Sequence, residues 1–113
     1  MATIEDFQNI EMKVGRVISA EPVSGSEKLL KLSVDFAETD EAGAPKHRQV
    51  LSGIAKSVKP EDITGKLMAF VTNLPPRPIM GLESQAMIMV AVDESGMTPL
   101  TPMRDVLPGS QLS

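Results

Sequence analysis

At 113 residues, 42% hydrophobic and 23% charged, the chain has the size and composition of one folded domain; this excludes a disordered chain, and no apolar run nears the roughly 20 residues of a membrane helix. The absence of cysteine excludes disulfides and thiolate metal sites, and Met1-Ala2-Thr3-Ile4-Glu5-Asp6 lacks the basic start and apolar stretch of a secretory signal, so a cytoplasmic protein with no membrane association is expected. A net charge of −4 excludes a uniformly basic surface, so any binding to a polyanion must use a local patch, for which Lys28, Lys31, Lys46, Arg48, Lys56, Lys59, Lys66 and Arg77 supply charge in the middle of the chain.

Thr3 is placed to cap a short helix, with Asp6 in capping-box position and Phe7 and Ile10 on the apolar side. Met12 to Val23 reads as a first strand in which Met12, Val14 and Ile18 share a parity and Gly15 marks a bulge or sharp bend. After the turn Ser24-Gly25-Ser26, a second strand alternates Leu30, Leu32, Val34 and Phe36 with Lys31, Ser33 and Asp35. Ala37 to Lys46, acidic with Gly43 and Pro45, reads as a solvated loop, and Arg48 to Ile54 as a third strand. Pro60, Glu61 and Asp62 suit the start of a short helix that Gly65 ends. Leu67 to Thr72, a near-continuous apolar run, is a central strand. The proline-rich Asn73 to Gly81 is a loop, unable to be a helix or an inner strand. Ala86 to Val92 is a fifth strand, and Met97 to Ser113 a tail with apolar anchors at Leu100, Met103, Val106 and Leu112.

Three strands, a short helix and two further strands give an all-β chain in the order of the OB-fold. The expectation is a single domain, residues 1–113: a five-stranded barrel with a short helix between its third and fourth strands, an N-terminal helix and a C-terminal extension. A β-sandwich would want about seven strands. OB barrels bind oligonucleotides and oligosaccharides on their second and third strands and on the loops after strands one and four. Here those places are Lys31, Ser33, Arg48, the Ser24 to Lys28 turn and the Asn73 to Gln85 loop.

Catalysis finds no support. His47 is the only histidine and has no cysteine to share a zinc site with; Ser84 lies in Gly81-Leu82-Glu83-Ser84-Gln85, which is not G-x-S-x-G; and the glycines form no nucleotide-binding loop. No enzyme and no cofactor are expected. For binding, prolines stiffen the Asn73 to Gly81 loop, which either holds Arg77 outward for a phosphate or is a rigid connector. Lys28 and Lys31 form either a solvated strand face or a phosphate-facing strip, and Lys31, Ser33 and Arg48 are expected to share one outer face. Phe7, Phe36 and Phe70 all read as core, which leaves no aromatic for base stacking, so RNA would be read by backbone and shape. Met80 and Met87 supply soft apolar contacts beside the loop or plug the barrel mouth. The terminal apolar residues pack on their own barrel or form a self-complementary dimer surface.

The stretches Asp6-Phe7 through Val14-Gly15-Arg16-Val17, Gly25-Ser26-Glu27-Lys28-Leu29-Leu30-Lys31-Leu32, Ser52-Gly53-Ile54-Ala55 and Lys59-Pro60-Glu61-Asp62 to Gly65-Lys66 form a pattern together. With them go Asn73-Leu74, Pro76-Arg77, Met80-Gly81, Glu83-Ser84-Gln85, Met87 and Pro108-Gly109. Over nearly its full length the chain resembles the small tRNA-binding domain found at the C-terminus of many bacterial methionyl-tRNA synthetases, in eukaryotic synthetase cofactors and as free-standing homodimers. The resemblance implies a non-catalytic OB-fold that binds tRNA by structure and dimerises through its terminal elements. It further implies Lys31, Asn73, Arg77, Ser84 and Met87 as RNA-facing residues, with Ser84 to Met87 as an S-x-x-M signature. Pro75 and Pro78 stand where strong tRNA binders carry lysines, which implies fewer phosphate contacts. A related branch of similar fold acts as a dimeric secretion chaperone for unfolded polypeptides; docking on an aminoacyl-tRNA synthetase is a third role. The chain opens on methionine and ends soon after Pro108-Gly109, and is expected to be complete.

Overall fold

The alternation of Leu30, Leu32, Val34 and Phe36 forms the inner face of a long strand in a computed structural model that describes residues 1–113. In chain order the elements are α1 (Ile4–Gln8), β1 (Met12–Pro22), β2 (Leu30–Thr39), β3 (Pro45–Ser52), α2 (Pro60–Ile63) and β4 (Leu67–Val71). There follow β5 (Arg77–Ile79), β6 (Leu82–Ser84), β7 (Met87–Ile88), β8 (Val90–Asp93) and β9 (Gly96–Pro99). The main sheet has five strands in the order β3-β2-β1-β4-β7, all antiparallel, and it curls into the OB-type half-barrel expected from the order of elements. β1 is long enough to serve two partners: Met12 to Arg16 pair with β4, and Arg16 to Pro22 with β2. Inside the curl, Val17, Leu30, Leu32, Val34, Val50 and Phe70 are all but inaccessible, with Ile63 of α2 closing one end. The Phe36 and Phe70 rings meet edge to face, 5.2 Å between centroids, an arrangement worth about 0.5–1.5 kcal/mol beyond the area it buries.

Gly15 is needed for packing and not for a bulge. The bulge comes later, between Val17 and Ser19, and it reverses the alternation of β1. The inward row is therefore Gly15, Val17 and then Ala20, opposite Met68, Val34 and Leu32; Ile18 is 42% exposed and no part of the core. At Gly15 the Val34 and Phe36 side chains fill the space a Cβ would occupy, 2.5 and 2.6 Å from it. Val14, on the other face, is buried where residues 109–112 take the edge of β1 that β2 leaves open. Val14 N–H donates to Ser110 O (2.8 Å), Gly109 N–H to Val14 O (2.7 Å) and Leu112 N–H to Met12 O (2.9 Å).

Several expectations are corrected. The 37–46 segment is no open loop: the β2–β3 ladder resumes beyond an irregularity at Ala37 (φ 62°), pairing Glu38 with Lys46 and Thr39 with Pro45. The fifth strand is split. β7 pairs with β4, whereas β8 leaves the sheet to pair with β9, so the residues read as a tail begin with a strand. An apolar run such as Val90 to Val92 does not encode which edge it will pair with. The Thr3–Asp6 capping box is present, but no residue of α1 is buried; Phe7 is 37% exposed and is not core, because the helix touches the barrel only at its end. Among the expected tail anchors, Val106 and Leu112 are half-buried while Leu100 and Met103 are exposed. No helix is long and apolar enough to cross a membrane.

Replacing Gly15 by alanine should lower stability by about 1–3 kcal/mol through overpacking. Gly53→Ala, whose Cβ would meet nothing within 4 Å, should shift the urea midpoint far less. Chemical denaturation of both variants checks this.

Candidate nucleic-acid interface

The proline-rich segment after β4 folds back on itself. β5 and β6 pair as a hairpin, Arg77 opposite Ser84 and Ile79 opposite Leu82, outside the main sheet. Its two-residue turn, Met80-Gly81, has positive φ at both positions (51° and 79°), the handedness that suits a two-residue hairpin. Glycine adopts this at no steric cost; Met80 does so at a cost of about 1–3 kcal/mol that the hairpin must offset. The expectation of a loop over Asn73 to Gly81 is thus half corrected. Pro78 hid a strand that, lying outside the main sheet, can tolerate a missing N–H.

This arm is tied to the barrel by side chains. Gln85 N–H donates to Gln49 O (2.8 Å), while Gln49 N–H donates to the Gln85 side-chain oxygen (2.9 Å) and Gln49 Nε2 to Glu83 O (2.9 Å). Ser84 is buried; its Oγ accepts from Leu51 N–H (3.0 Å) and donates to Ala86 O (3.0 Å). At the other foot, Asn73 Oδ1 accepts from Glu11 N–H and its Nδ2 donates to Asn9 O, both at 2.9 Å. Asn73 and Ser84 are thus engaged within the protein, where they orient the arm. Sequence reasoning missed Gln49, Gln85 and Glu38. Two glutamines that meet only through the barrel closure leave no local pattern to find.

Arg77 is exposed on β5 and belongs to none of the three ion pairs of the chain. With Leu51, Leu74, Ile79, Ser84 and the 41%-exposed Met87 it lines a small notch of about 50 Å³ between arm and barrel. On β2 and β3, residues directly opposite share a face. Lys31 faces out beside Glu21 and Leu51, and Ser33 beside Ser19 and Gln49, around a shallow depression of about 310 Å³. Lys31 Nζ lies 2.8 Å from Glu21 Oε1, an exposed pair worth about 1 kcal/mol or less. Lys28 is exposed at the end of a turn in which Ser26 Oγ accepts from the N–H groups of Lys28 and Leu29. A larger cavity of about 450 Å³ lies apart from this strip, against the β8–β9 hairpin beside Lys56 and Ser57.

Arg48 is not on that outer face. It lies opposite Val34 and so points to the inner side, at the end of the barrel, with its guanidinium 5.4 Å from the centroid of the Phe36 ring. Its Nε and Nη2 donate to the two carboxylate oxygens of Glu38, each at 2.8 Å. The expectation failed because Arg48 shares the parity of Val50, which faces the core opposite Leu32; the irregularity near Ala37 then brings Glu38 within reach of it. The Arg48 hydrogen bonds hold the Glu38 carboxyl below its ordinary range, and Glu38 raises Arg48 in turn. Glu11 is also lowered, first by the Thr72 hydroxyl bonded to it at 2.7 Å.

Fold and arm together define a small OB-type binding domain. Residues 12–111 match the family model described as "Putative tRNA binding domain", and the chain belongs to that family. It is 43% identical over 112 residues to a methionine–tRNA ligase of Methanoculleus marisnigri; that alignment covers 99% of this chain and 16% of the ligase. The curated ligases are thus much longer proteins, of which this chain spans about one-sixth. Among solved structures it is similar to a MetRS-related protein from Pyrococcus horikoshii (TM-score 0.88, 33% identity, 100% and 98% of the two chains). It is also similar to the chaperone CsaA of Bacillus anthracis (TM-score 0.83, 28% identity, 100% and 99%).

The lowered Glu38 carboxyl should make stability depend on acid. Its contribution is complete above the ordinary glutamate value of about 4.3 and is lost as pH falls through the lower folded value. Urea midpoints measured from neutral pH down to pH of about 3 should therefore fall with a shallower acid limb in Glu38→Gln than in the parent.

Proposed function

We propose that this chain is a non-catalytic module that binds tRNA by its folded shape and acts as a homodimer in the cytoplasm. One observation carries the reading: Arg77 and Met87 line a single notch, on an arm seated against the outer face that bears Lys31, within a chain whose residues 12–111 match the tRNA-binding domain. The arm offers one unpaired guanidinium on a short, proline-stiffened hairpin, so little freedom is lost when a phosphate binds. Phe36 and Phe70 are buried and Phe7 sits on α1, so the outer face carries no stacking platform. Contacts to backbone and groove shape are then the means of recognition, as on folded RNA. Lys28, Lys31 and Arg77 are the residues proposed to meet phosphates, with Ser84 and Asn73 setting the arm.

The dimer is supported by apolar side chains that the chain leaves uncovered near both termini: Ile4 at 66%, Ile10 at 47% and Leu107 at 80% exposure. The two termini lie together, since Lys13 bridges to Gln111. A two-fold pair would double a patch that, alone, offers few phosphate contacts. The same uncovered apolar surface, with the likeness to the CsaA structure, favours a second reading: a chaperone for unfolded polypeptide. A synthetase is a further partner to which such a domain could dock.

Purified protein should bind total tRNA in preference to a single-stranded RNA of equal length. Arg77→Ala should keep the fold and reduce the salt slope by about one, with an affinity loss of several-fold. Equal binding of both RNAs, or an unchanged Arg77→Ala, would sink this reading. Suppression of client aggregation that added tRNA leaves unchanged would move the case to the chaperone. Light scattering should give twice the chain mass, and Ile10→Glu, just after α1, should return the monomer.

A further inference from the structure

The arm that carries Arg77 has two feet, Thr72 at the end of β4 and Gln85 before β7. One side chain reaches both. Arg48 Nη1 donates to Thr72 O at 2.7 Å and to Gln85 O at 3.2 Å. The rest of the guanidinium is held from behind by the Glu38 carboxylate, at 2.8 Å to each oxygen, and its central carbon lies over the Phe36 ring, 5.4 Å from the centroid. One planar group thus joins β2, β3 and the two places where the chain leaves and re-enters the barrel.

The chemistry explains why this position holds arginine. Only a guanidinium offers donors in a rigid fork that can take a carboxylate along one edge and carbonyls from another. An ammonium could meet one or two of these acceptors, with no fixed geometry. The charge is also already satisfied within the protein. A phosphate approaching Arg48 would have to displace Glu38 from a two-bond, half-buried pair, unlike the exposed single contact that Glu21 makes with Lys31.

We propose that Arg48 is a positioning residue for RNA binding: it pins both feet of the Asn73–Gln85 arm to the rigid β2–β3 hairpin, so that Arg77 meets the RNA already ordered. Resting on the tRNA-binding reading above, this assigns Arg48 a role through the arm and not through phosphate. Three groups share the work at the first foot. Thr72 N–H and hydroxyl both bond Glu11, and Glu11 N–H bonds the Asn73 side chain. At the second foot Arg48 adds to the Gln49–Gln85 exchange. Loosening Arg48 should therefore loosen both feet, and the amides around Gln85 report the second.

The test uses Arg48→Lys, which keeps the charge and loses the fork, and Glu38→Gln, which keeps Arg48 and weakens its backing. Amide hydrogen exchange of the free protein reads the pinning directly. In Arg48→Lys, the Gln85 and Leu51 amides, which bond Gln49 O and Ser84 Oγ, should exchange about tenfold faster, the order expected for one lost charge-assisted bond. The Val17 amide, bonded to Lys66 O away from the arm, should stay as slow as in the parent. Affinity for tRNA should fall by a similar factor with an unchanged salt slope, whereas Arg77→Ala lowers the slope. Glu38→Gln should show the same local acceleration and weaker binding. If Arg48→Lys binds tRNA as the parent does, or if Glu38→Gln binds more tightly, Arg48 acts by its charge and the proposal is overturned. Uniformly faster exchange, Val17 included, would make Arg48 a general stabiliser and also overturn it. If the parent shows no preference for tRNA, the proposed function has failed instead, and the exchange data still decide whether Arg48 pins the arm.

Discussion

The structure depends on how its sheet is closed. β3 and the chain around β6 and β7 face one another across the seam of the curl, yet they share no regular ladder. Side chains complete the closure. Gln49 and Gln85 exchange main-chain and side-chain bonds, and the Ser84 hydroxyl caps the Leu51 N–H. Buried main-chain groups without partners would each cost about 1–3 kcal/mol, so these residues allow the barrel to close where the backbone alone would not. The consequence is functional as well as structural. A seam closed by side chains leaves the segment before it free to leave the sheet, and that segment is the Arg77 arm.

Charge is arranged on a similar division. The chain is acidic overall, and three of its eleven basic side chains are answered locally: Arg48 by Glu38 in a two-bond, half-buried pair, Lys31 by Glu21 and Lys13 by Glu11 at the surface. The exposed pairs are weak enough for a phosphate to replace the carboxylate; the Arg48–Glu38 pair is not. Arg77 stands outside all three. An unpaired guanidinium on a stiff arm, beside the outer face that bears the exposed Lys31–Glu21 pair, is a small local concentration of positive charge on an acidic chain.

The two ends of the chain show a different balance. Residues 109–112 complete an edge of β1, so the C-terminus is part of the barrel wall. α1 has a full capping box and no buried residue, which means that its helix is set locally while its apolar side remains uncovered. Such a helix gains little from the barrel, and its apolar side chains Ile4 and Phe7 stay exposed.

Much of the fold was legible because it rests on local rules. The alternation from Leu30 to Phe36, the proline and acids that start α2, the Thr3–Asp6 cap and the apolar run of β4 each need only neighbours in the chain, and their order implied the OB topology. The exposure of Arg77 followed from proline stiffness in the same way. Arg48, Ser84 and Asn73 read as RNA-facing from the sequence, the last two through the family resemblance; in the structure Ser84 is buried, Arg48 half-buried and Asn73 exposed, and each side chain bonds a partner far along the chain: Arg48 Thr72 and Gln85, Ser84 Leu51, and Asn73 Glu11. The same limit hid the bulge after Val17, which carries the core row of β1 from Gly15 and Val17 on to Ala20. By itself, then, the sequence determined the elements, their order and the family, because periodicity and turn chemistry are properties of neighbouring residues. Only the tertiary structure decided which polar side chains face outward and which close the barrel, because that depends on bonds formed between residues that the chain holds far apart until it folds.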